Sequence, residues 1–334
     1  MIAVRYIANN QFKVFCATVI CLMVAACGGP KKQEVGTYVS DVYSPPAHYY
    51  DHRAQQQFFG APGERIAYTD HGTGPVIVLL HGVPTSSWMY RNIISALQND
   101  MRVISIDLLG YGSADKPDDE TGKAYAPSAQ ATRVRALLAA KNIDRYALLM
   151  HDMGGLVAWE ILRANPDKVS HTIVLNTIVN QTGFNHPTMR AGDLTRQLMS
   201  AYASDLTNSV ILRKTFSDLG LTGEHKLTEA ECAGYVIPML EGADTALYAF
   251  FTQLNELTFD ALDQNRILMK SFSGESLIMW GAKDETLTTG QIPIAQDMLG
   301  TSAENIHIYD DNGHFLAEEI PAELVKNIRA LMLN

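Results

Sequence analysis

The chain reads as an α/β protein: a doubly wound, mostly parallel sheet interrupted once by a helical insertion. Three observations predict this. From Phe58 onward, short apolar runs alternate with segments of helical period. Most of those runs lack strict polar alternation, which suits strands buried on both faces of a parallel sheet. Between about Asn180 and Lys270 the rhythm breaks, and helical patterns run on without a strong strand.

The first element is not part of the sheet. Arg5 and Lys13 flank the start of an apolar run, Val14 to Ala26, which is cut off by Cys27-Gly28-Gly29-Pro30-Lys31-Lys32. A basic start, a short apolar stretch and small closing residues describe a secretory signal too short to span a bilayer comfortably. Its ending, Leu22-Met23-Val24-Ala25-Ala26-Cys27, resembles a bacterial lipobox, which implies cleavage before Cys27 and lipidation of its thiol. A plain signal peptide is the alternative. The lipobox reading places the protein in the cell envelope, anchored to the membrane through lipid; Gly28 implies outer-membrane sorting in a Gram-negative host. Residues 28 to about 56 mix Pro, Gln, Tyr and charge without a clear period and read as a surface tether.

The expected strands are Val76 to Leu80, Val103 to Ile106, Tyr146 to Met150, Thr172 to Leu175, Leu277 to Trp280 and Ile306 to Tyr309. Between them, Val134, Leu137 and Leu138 mark one helix face. Leu156, Trp159 and Leu162 mark another, ended by Asn165-Pro166. In the insertion, Thr228 and Glu231 make a capping box, and Asp244 or Thr245 can cap the next helix. An all-helical insertion after one strand, followed by a return to the sheet, reads as a cap over the strand ends, where ligands of such sheets bind. The expected organisation is therefore signal peptide 1–26, lipidated N-terminus and tether 27–56, core 57–180, helical cap 181–270, and core again 271–334.

Composition narrows the function. With 334 residues and a net charge of −10, falling to about −12 once Arg5 and Lys13 leave with the signal, nothing favours nucleic acid as a partner. Of the four cysteines only Cys232 remains once Cys16, Cys21 and Cys27 are accounted for, so no intramolecular disulfide is expected. No cofactor and no metal site is read from the sequence.

Three polar residues stand at expected strand ends in a telling order. Asp152 follows the Tyr146 to Met150 run in H-D-M-G-G. Asp284 follows Leu277 to Trp280 in W-G-A-K-D, and His314 follows Ile306 to Tyr309 in D-D-N-G-H-F. Strand, sharp Gly-rich turn and helix is where many hydrolases carry a serine nucleophile, and nucleophile, acid, histidine is their chain order. Here the turn holds an aspartate, and no G-x-S-x-G occurs anywhere. His81-Gly82-Val83-Pro84 occupies the place of an oxyanion loop, so the N–H groups of Val83 and Met153 are the expected donors. The alternative for Asp152 is an N-cap alone. His81 and His151 read as structural, Trp159 as core, and Asp107 and Asp115 as shapers of the loop after their strand.

The segments H-G-V-P-T-S-S-W-M-Y-R-N (81–92), D-L-L-G-Y-G-S-A-D-K-P-D (107–118) and H-D-M-G-G (151–155), with the Asp284 and His314 segments, resemble the haloalkane dehalogenase and epoxide hydrolase branch of the α/β-hydrolase fold. The resemblance runs from about residue 57 to the end and is weakest in the cap. It implies that Asp152 attacks a saturated carbon of a small apolar organic substrate to form an ester. His314, oriented by Asp284, then activates water to cleave it. Halide release in that branch usually uses a Trp after the nucleophile and an Asn in the oxyanion loop or a second Trp; here Met153 and Val83 stand there. Epoxide opening uses two cap tyrosines, for which Tyr248 and Tyr202 are the candidates, with Tyr235 also in the cap. Opening of epoxides to diols is the favoured expectation. Haloalkane dehalogenation, ester or lactone hydrolysis, and a lipid-anchored binding protein of the same fold stay open.

The lipobox can be tested on its own. The mature protein should partition into detergent, because several acyl chains anchor stably where one does so only marginally. Cys27→Ser should release it or block processing, and an unmodified Cys27 in the mature mass spectrum would exclude lipidation.

Overall fold

The computed structural model describes residues 47–119, 121–184, 227–243, 245–247, 249–250, 269 and 272–333. The signal run, Cys27, Tyr202, Asp244 and Tyr248 lie outside them. Eight strands form one sheet: β1 (Gln57–Phe59), β2 (Ile66–His71), β3 (Val76–Leu80), β4 (Arg102–Asp107), β5 (Tyr146–Asp152), β6 (Val169–Thr177), β7 (Glu275–Gly281) and β8 (Ile306–Tyr309), in the order β1-β2-β4-β3-β5-β6-β7-β8. β1 and β2 pair antiparallel, as do β2 and β4; all later pairs are parallel. This is the expected doubly wound, mostly parallel sheet. β3 (VIVLL) and β5 (YALLMHD) are buried almost throughout, which is why they read as continuous apolar runs.

The antiparallel strands β1 and β2 were not expected. β1 is three residues at the sheet edge and largely exposed, and β2 (IAYTDH) mixes apolar and polar residues, so neither shows an apolar run. A second difference precedes them. Ala47–Ala54, expected as the end of a surface tether, forms helix α1. Tyr49 is 2% exposed, and His48, Tyr49 and His52 surround the ring of Trp88. The buried face is aromatic and imidazole instead of aliphatic, so no apolar period marks it.

Further α-helices among the described residues are α2 (Arg91–Leu97), α3 (Pro127–Ala140), α4 (Met153–Ala164), α5 (Glu229–Pro238), α6 (Ile292–Leu299), α7 (Leu316–Glu319) and α8 (Pro321–Leu333). α3 opens with Pro at its first position, where the missing N–H costs nothing. α4 stops before Asn165-Pro166, and α6 stops at Gly300 in the left-handed conformation. α5 opens on the expected capping box: Thr228 Oγ1 accepts from the Glu231 N–H, and the Glu231 carboxylate accepts from the Thr228 N–H. α3 packs on α4 and α8 on α2. Leu324, Val325 and Ile328 supply the buried face of α8.

Because β5, β6, β7 and β8 are successive parallel neighbours, their carboxyl ends open at one edge of the core. α4 comes close to β3 there because of glycine. A Cβ at Gly154 would lie 2.3 Å from the Leu80 carbonyl oxygen and 2.8 Å from that of His81. Neither backbone atom can step aside. Gly154→Ala should therefore destabilise the fold by about 1–3 kcal/mol in urea unfolding; an unchanged midpoint would contradict this close packing.

Candidate active site

Asp152 ends β5 and immediately precedes α4. Its backbone sits at φ 50°, ψ −122°, and among the described residues Asn142 is the only other non-glycine with positive φ. Such a conformation costs about 1–3 kcal/mol and persists only where neighbours impose it. Here the Asp152 carbonyl accepts from Thr177 Oγ1 at 2.7 Å and from the Ile178 N–H at 3.3 Å. A side chain at Gly82 would meet Asp152 Cβ at 2.2 Å, and one at Gly155 would meet Thr177 Oγ1 at 2.0 Å. The turn closes only because both positions are bare.

The Asp152 carboxylate faces two sets of partners. On one side the Val83 N–H donates to Oδ1 at 2.8 Å, and the Met153 N–H also bonds the carboxylate. The two expected oxyanion donors thus converge on this one group. On the other side His314 Nε2 lies 3.9 Å from Oδ2. Burial pushes the Asp152 carboxyl above its ordinary 3.8, against the opposing pull of His314 and the two N–H groups.

His314 follows β8, and its Nδ1–H donates to Asp284 Oδ2 at 2.7 Å. That bond fixes the tautomer and turns Nε2 toward Asp152. Burial works against the charged imidazole, but the Asp284 carboxylate outweighs it, with help from Asp152, and raises the His314 pKa above 6.5. Asp284, 5% exposed, is fully occupied. Its Oδ1 accepts from the N–H groups of Thr286 and Leu287, both at 2.9 Å, and its Oδ2 accepts from Asn176 Nδ2 at 2.9 Å as well as from His314. Burial alone would raise its pKa; His314 and these hydrogen bonds reverse the sign and hold it below 3.8.

Asn176, near the end of β6, is the site residue that sequence reasoning missed. Its Oδ1 accepts from the Gly281 N–H at 2.8 Å while its amide holds Asp284. It is fully buried, and nothing in the sequence around it marked that role. His81 is buried, with Nδ1–H on the Gly82 carbonyl and Nε2 accepting from the Leu108 N–H. Asp107 accepts from the N–H groups of Ser87 and Ser113, and Asp115 pairs with Arg65. Trp159 is core.

The chain has three tryptophans, and each indole N–H is engaged by a backbone carbonyl. Trp88 donates to Glu231 at 3.3 Å, Trp159 to Ile178 at 2.9 Å and Trp280 to Leu287 at 2.9 Å. Tyr235, the described cap tyrosine, donates its hydroxyl to the buried Glu318 carboxylate.

Comparison with known proteins agrees with this architecture. A family model described as alpha/beta hydrolase fold matches residues 75–321. A haloalkane dehalogenase of Sphingobium indicum is 28% identical over 83% of this chain and 95% of its own length. A cis-3-alkyl-4-alkyloxetan-2-one decarboxylase of Shewanella oneidensis is 24% identical over 83% of this chain and 88% of its own. Among solved structures, the epoxide hydrolase CorEH superposes with a TM-score of 0.65 at 23% identity, covering 83% of this chain and 98% of that one. The haloalkane dehalogenase DbeA of Bradyrhizobium elkani gives 0.68 at 20%, covering 82% and 96%. At such identities the solved structures establish the fold alone. The matched family model spans most of the chain and both arms of the site, so this protein belongs to the alpha/beta hydrolase fold family and is a hydrolase of that fold.

Proposed function

We propose that the protein opens epoxides to diols through a covalent ester on Asp152. Oδ2 of Asp152 attacks a ring carbon, the carbon–oxygen bond breaks, and the ring oxygen takes a proton from a donor in the cap. His314 Nε2 then removes a proton from water, and the resulting hydroxide attacks Cγ of the ester. Negative charge develops on Oδ1, which already accepts from the Val83 N–H at 2.8 Å, beside the Met153 N–H that also bonds the carboxylate. Collapse of the tetrahedral centre breaks the Cγ–Oδ2 bond, the departing alkoxide takes the proton back from His314, and the proton left on the new Asp152 carboxyl restores the cap donor. The 3.9 Å gap between Nε2 and Oδ2 leaves His314 beside the ester that water must reach.

The engagement of all three tryptophan N–H groups by backbone carbonyls carries the choice of epoxide over haloalkane. A halide is a weakly basic anion that needs N–H donors, and none of the indoles is offered to it. An epoxide needs a proton donor instead, a role for which Tyr248 and Tyr202 are proposed by resemblance. A second reading follows from the relative named for an oxetan-2-one: a strained cyclic ester whose saturated ring carbon Asp152 attacks, expelling a carboxylate that needs no proton donor. We place the protein at the cell envelope, lipid-anchored through Cys27.

His314→Phe should stop the reaction after its first half. Incubated with epoxides, bromoalkanes and oxetanones, the variant should gain the mass of one organic group, mapped by peptide analysis to Asp152. An epoxide or oxetanone adduct keeps all its atoms, whereas a bromoalkane adduct loses bromine. Asp152→Ala should show neither adduct nor turnover. An adduct elsewhere, or full activity of His314→Phe, would overturn the assignment. Tyr248→Phe should slow epoxide opening by about 10²- to 10⁴-fold while leaving any bromide release unchanged.

The pH profile gives an independent check. His314 must be neutral to accept a proton, so ester hydrolysis should fall as pH drops through its raised pKa, and that acid limb should lie above 6.5. Stability runs the other way: a group whose pKa is raised on folding stabilises fully below its unfolded value, and that contribution fades as pH rises through the folded value. Adduct formation in His314→Phe should lack the limb. A limb that persists there would assign it to another group.

A further inference from the structure

His151 lies next to Asp152 in sequence, is 1% exposed, and has no part in the chemistry described above. Its Nε2 lies 2.9 Å from the backbone carbonyl oxygen of His314. A carbonyl only accepts, so Nε2 carries the proton. Its ring centroid is 4.5 Å from that of His314 and 5.6 Å from that of Phe315. Nδ1 is buried with no hydrogen-bond partner among the described residues. Burial and the neighbouring His314 push its pKa well below 6.5, so the ring stays neutral even when His314 is charged. One buried N–H is therefore spent on tying the end of β5 to the backbone of the loop that follows β8.

We propose that His151 is a positioning residue for the second half of the reaction, holding the backbone of His314 so that Nε2 faces the ester on Asp152. This rests on the two-step reading given under the proposed function. The rest of the loop is secured before His314: the Lys283 N–H donates to the Asn312 carbonyl at 2.9 Å, the Gly313 N–H donates to Glu319 at 3.0 Å, and Asn312 Nδ2 reaches the same carboxylate at 3.1 Å. At His314 itself the Asp284 bond fixes the ring, and the His151 bond fixes the backbone. A ring held at one end only can swing; a displacement of about 1 Å can cost on the order of 100-fold in rate. Asp152 does not use His314 for its own attack, so the two half-reactions should respond differently.

That difference separates positioning from a general packing role. Substituting a core residue beside Asp152 for packing reasons alone would disturb the strand end and slow both halves. His151→Leu should instead form the Asp152 adduct within about threefold of the parent rate and hydrolyse it about 10- to 100-fold more slowly, so that adduct accumulates. His151→Gln, whose side-chain amide can donate to the same carbonyl, should regain most of the hydrolysis rate. Equal slowing of both halves in His151→Leu, or hydrolysis at the parent rate, would overturn the proposal. A substrate-free readout stands beside these. In nitrogen-15-labelled full-length protein, the low-field Nδ1–H signal of His314 should be present in the parent and in His151→Gln. In His151→Leu it should be broadened or lost; an unchanged signal there would also overturn the proposal. If His314→Phe gives no adduct on Asp152 with any substrate, the covalent reading fails, and the proton signal still decides whether His151 holds His314.

Discussion

The contact on which the site depends is the approach of two bare backbone positions to one strained aspartate. Gly82 and Gly155 leave room for Asp152 Cβ and for the Thr177 hydroxyl that holds the Asp152 carbonyl. Without that room the turn after β5 would open. The Val83 N–H would then leave the carboxylate, and Oδ2 would no longer face His314. The strain at φ 50° is local, but the atoms opposing its relief come from β3, β6 and the loop after β3, so the whole centre of the sheet fixes the angle.

Electrostatics then divides labour between two buried carboxylates of the same type. Asp152 receives two backbone N–H groups and a distant imidazole, and burial keeps its pKa above the ordinary value. Asp284 receives two N–H groups, the Asn176 amide and the imidazole Nδ1–H, and its pKa falls below that value. The group with more donors is the firmer anion, suited to orienting a histidine. The group with fewer donors holds the less stabilised charge, which suits the nucleophilic role proposed for it.

Helix α5, between β6 and β7, is joined to this centre through buried contacts. Trp88 lies between α1 and α5: Tyr49 and His48 pack on its ring, Gly234 approaches its indole, and its N–H reaches the Glu231 carbonyl. Arg91 sits over the same ring at 4.6 Å and bridges Glu318 and Glu231. Glu318, 1% exposed, also accepts from Tyr235 of α5. A buried carboxylate without partners would be costly; this one is shared by Arg91 of α2 and Tyr235 of α5, so removing either would leave it short of a partner. It lies four residues after His314, in α7.

Five buried strands and the partly exposed edge strand β8, the helix ends at Asn165-Pro166 and Thr228, and the chain order Asp152, Asp284, His314 were legible in the sequence. Each rests on local information: an apolar run, a capping pair, or a polar residue just past a strand. Short-range steric and hydrogen-bonding preferences write such signals into adjacent residues. The convergence of Val83 and Met153 was legible only through resemblance. Asn176, Thr177, the aromatic face of α1 and the edge strands β1 and β2 were not legible at all. Asn176 acts on a residue 108 positions away, and α1 is a helix because Trp88 covers it. The engagement of the tryptophan N–H groups was likewise decided in space, since an indole in sequence gives no sign of which carbonyl it will meet. The sequence by itself determined which residues stand at the strand ends; the tertiary structure decided what each of them touches, because strand order and crossover packing bring together groups that no local pattern relates.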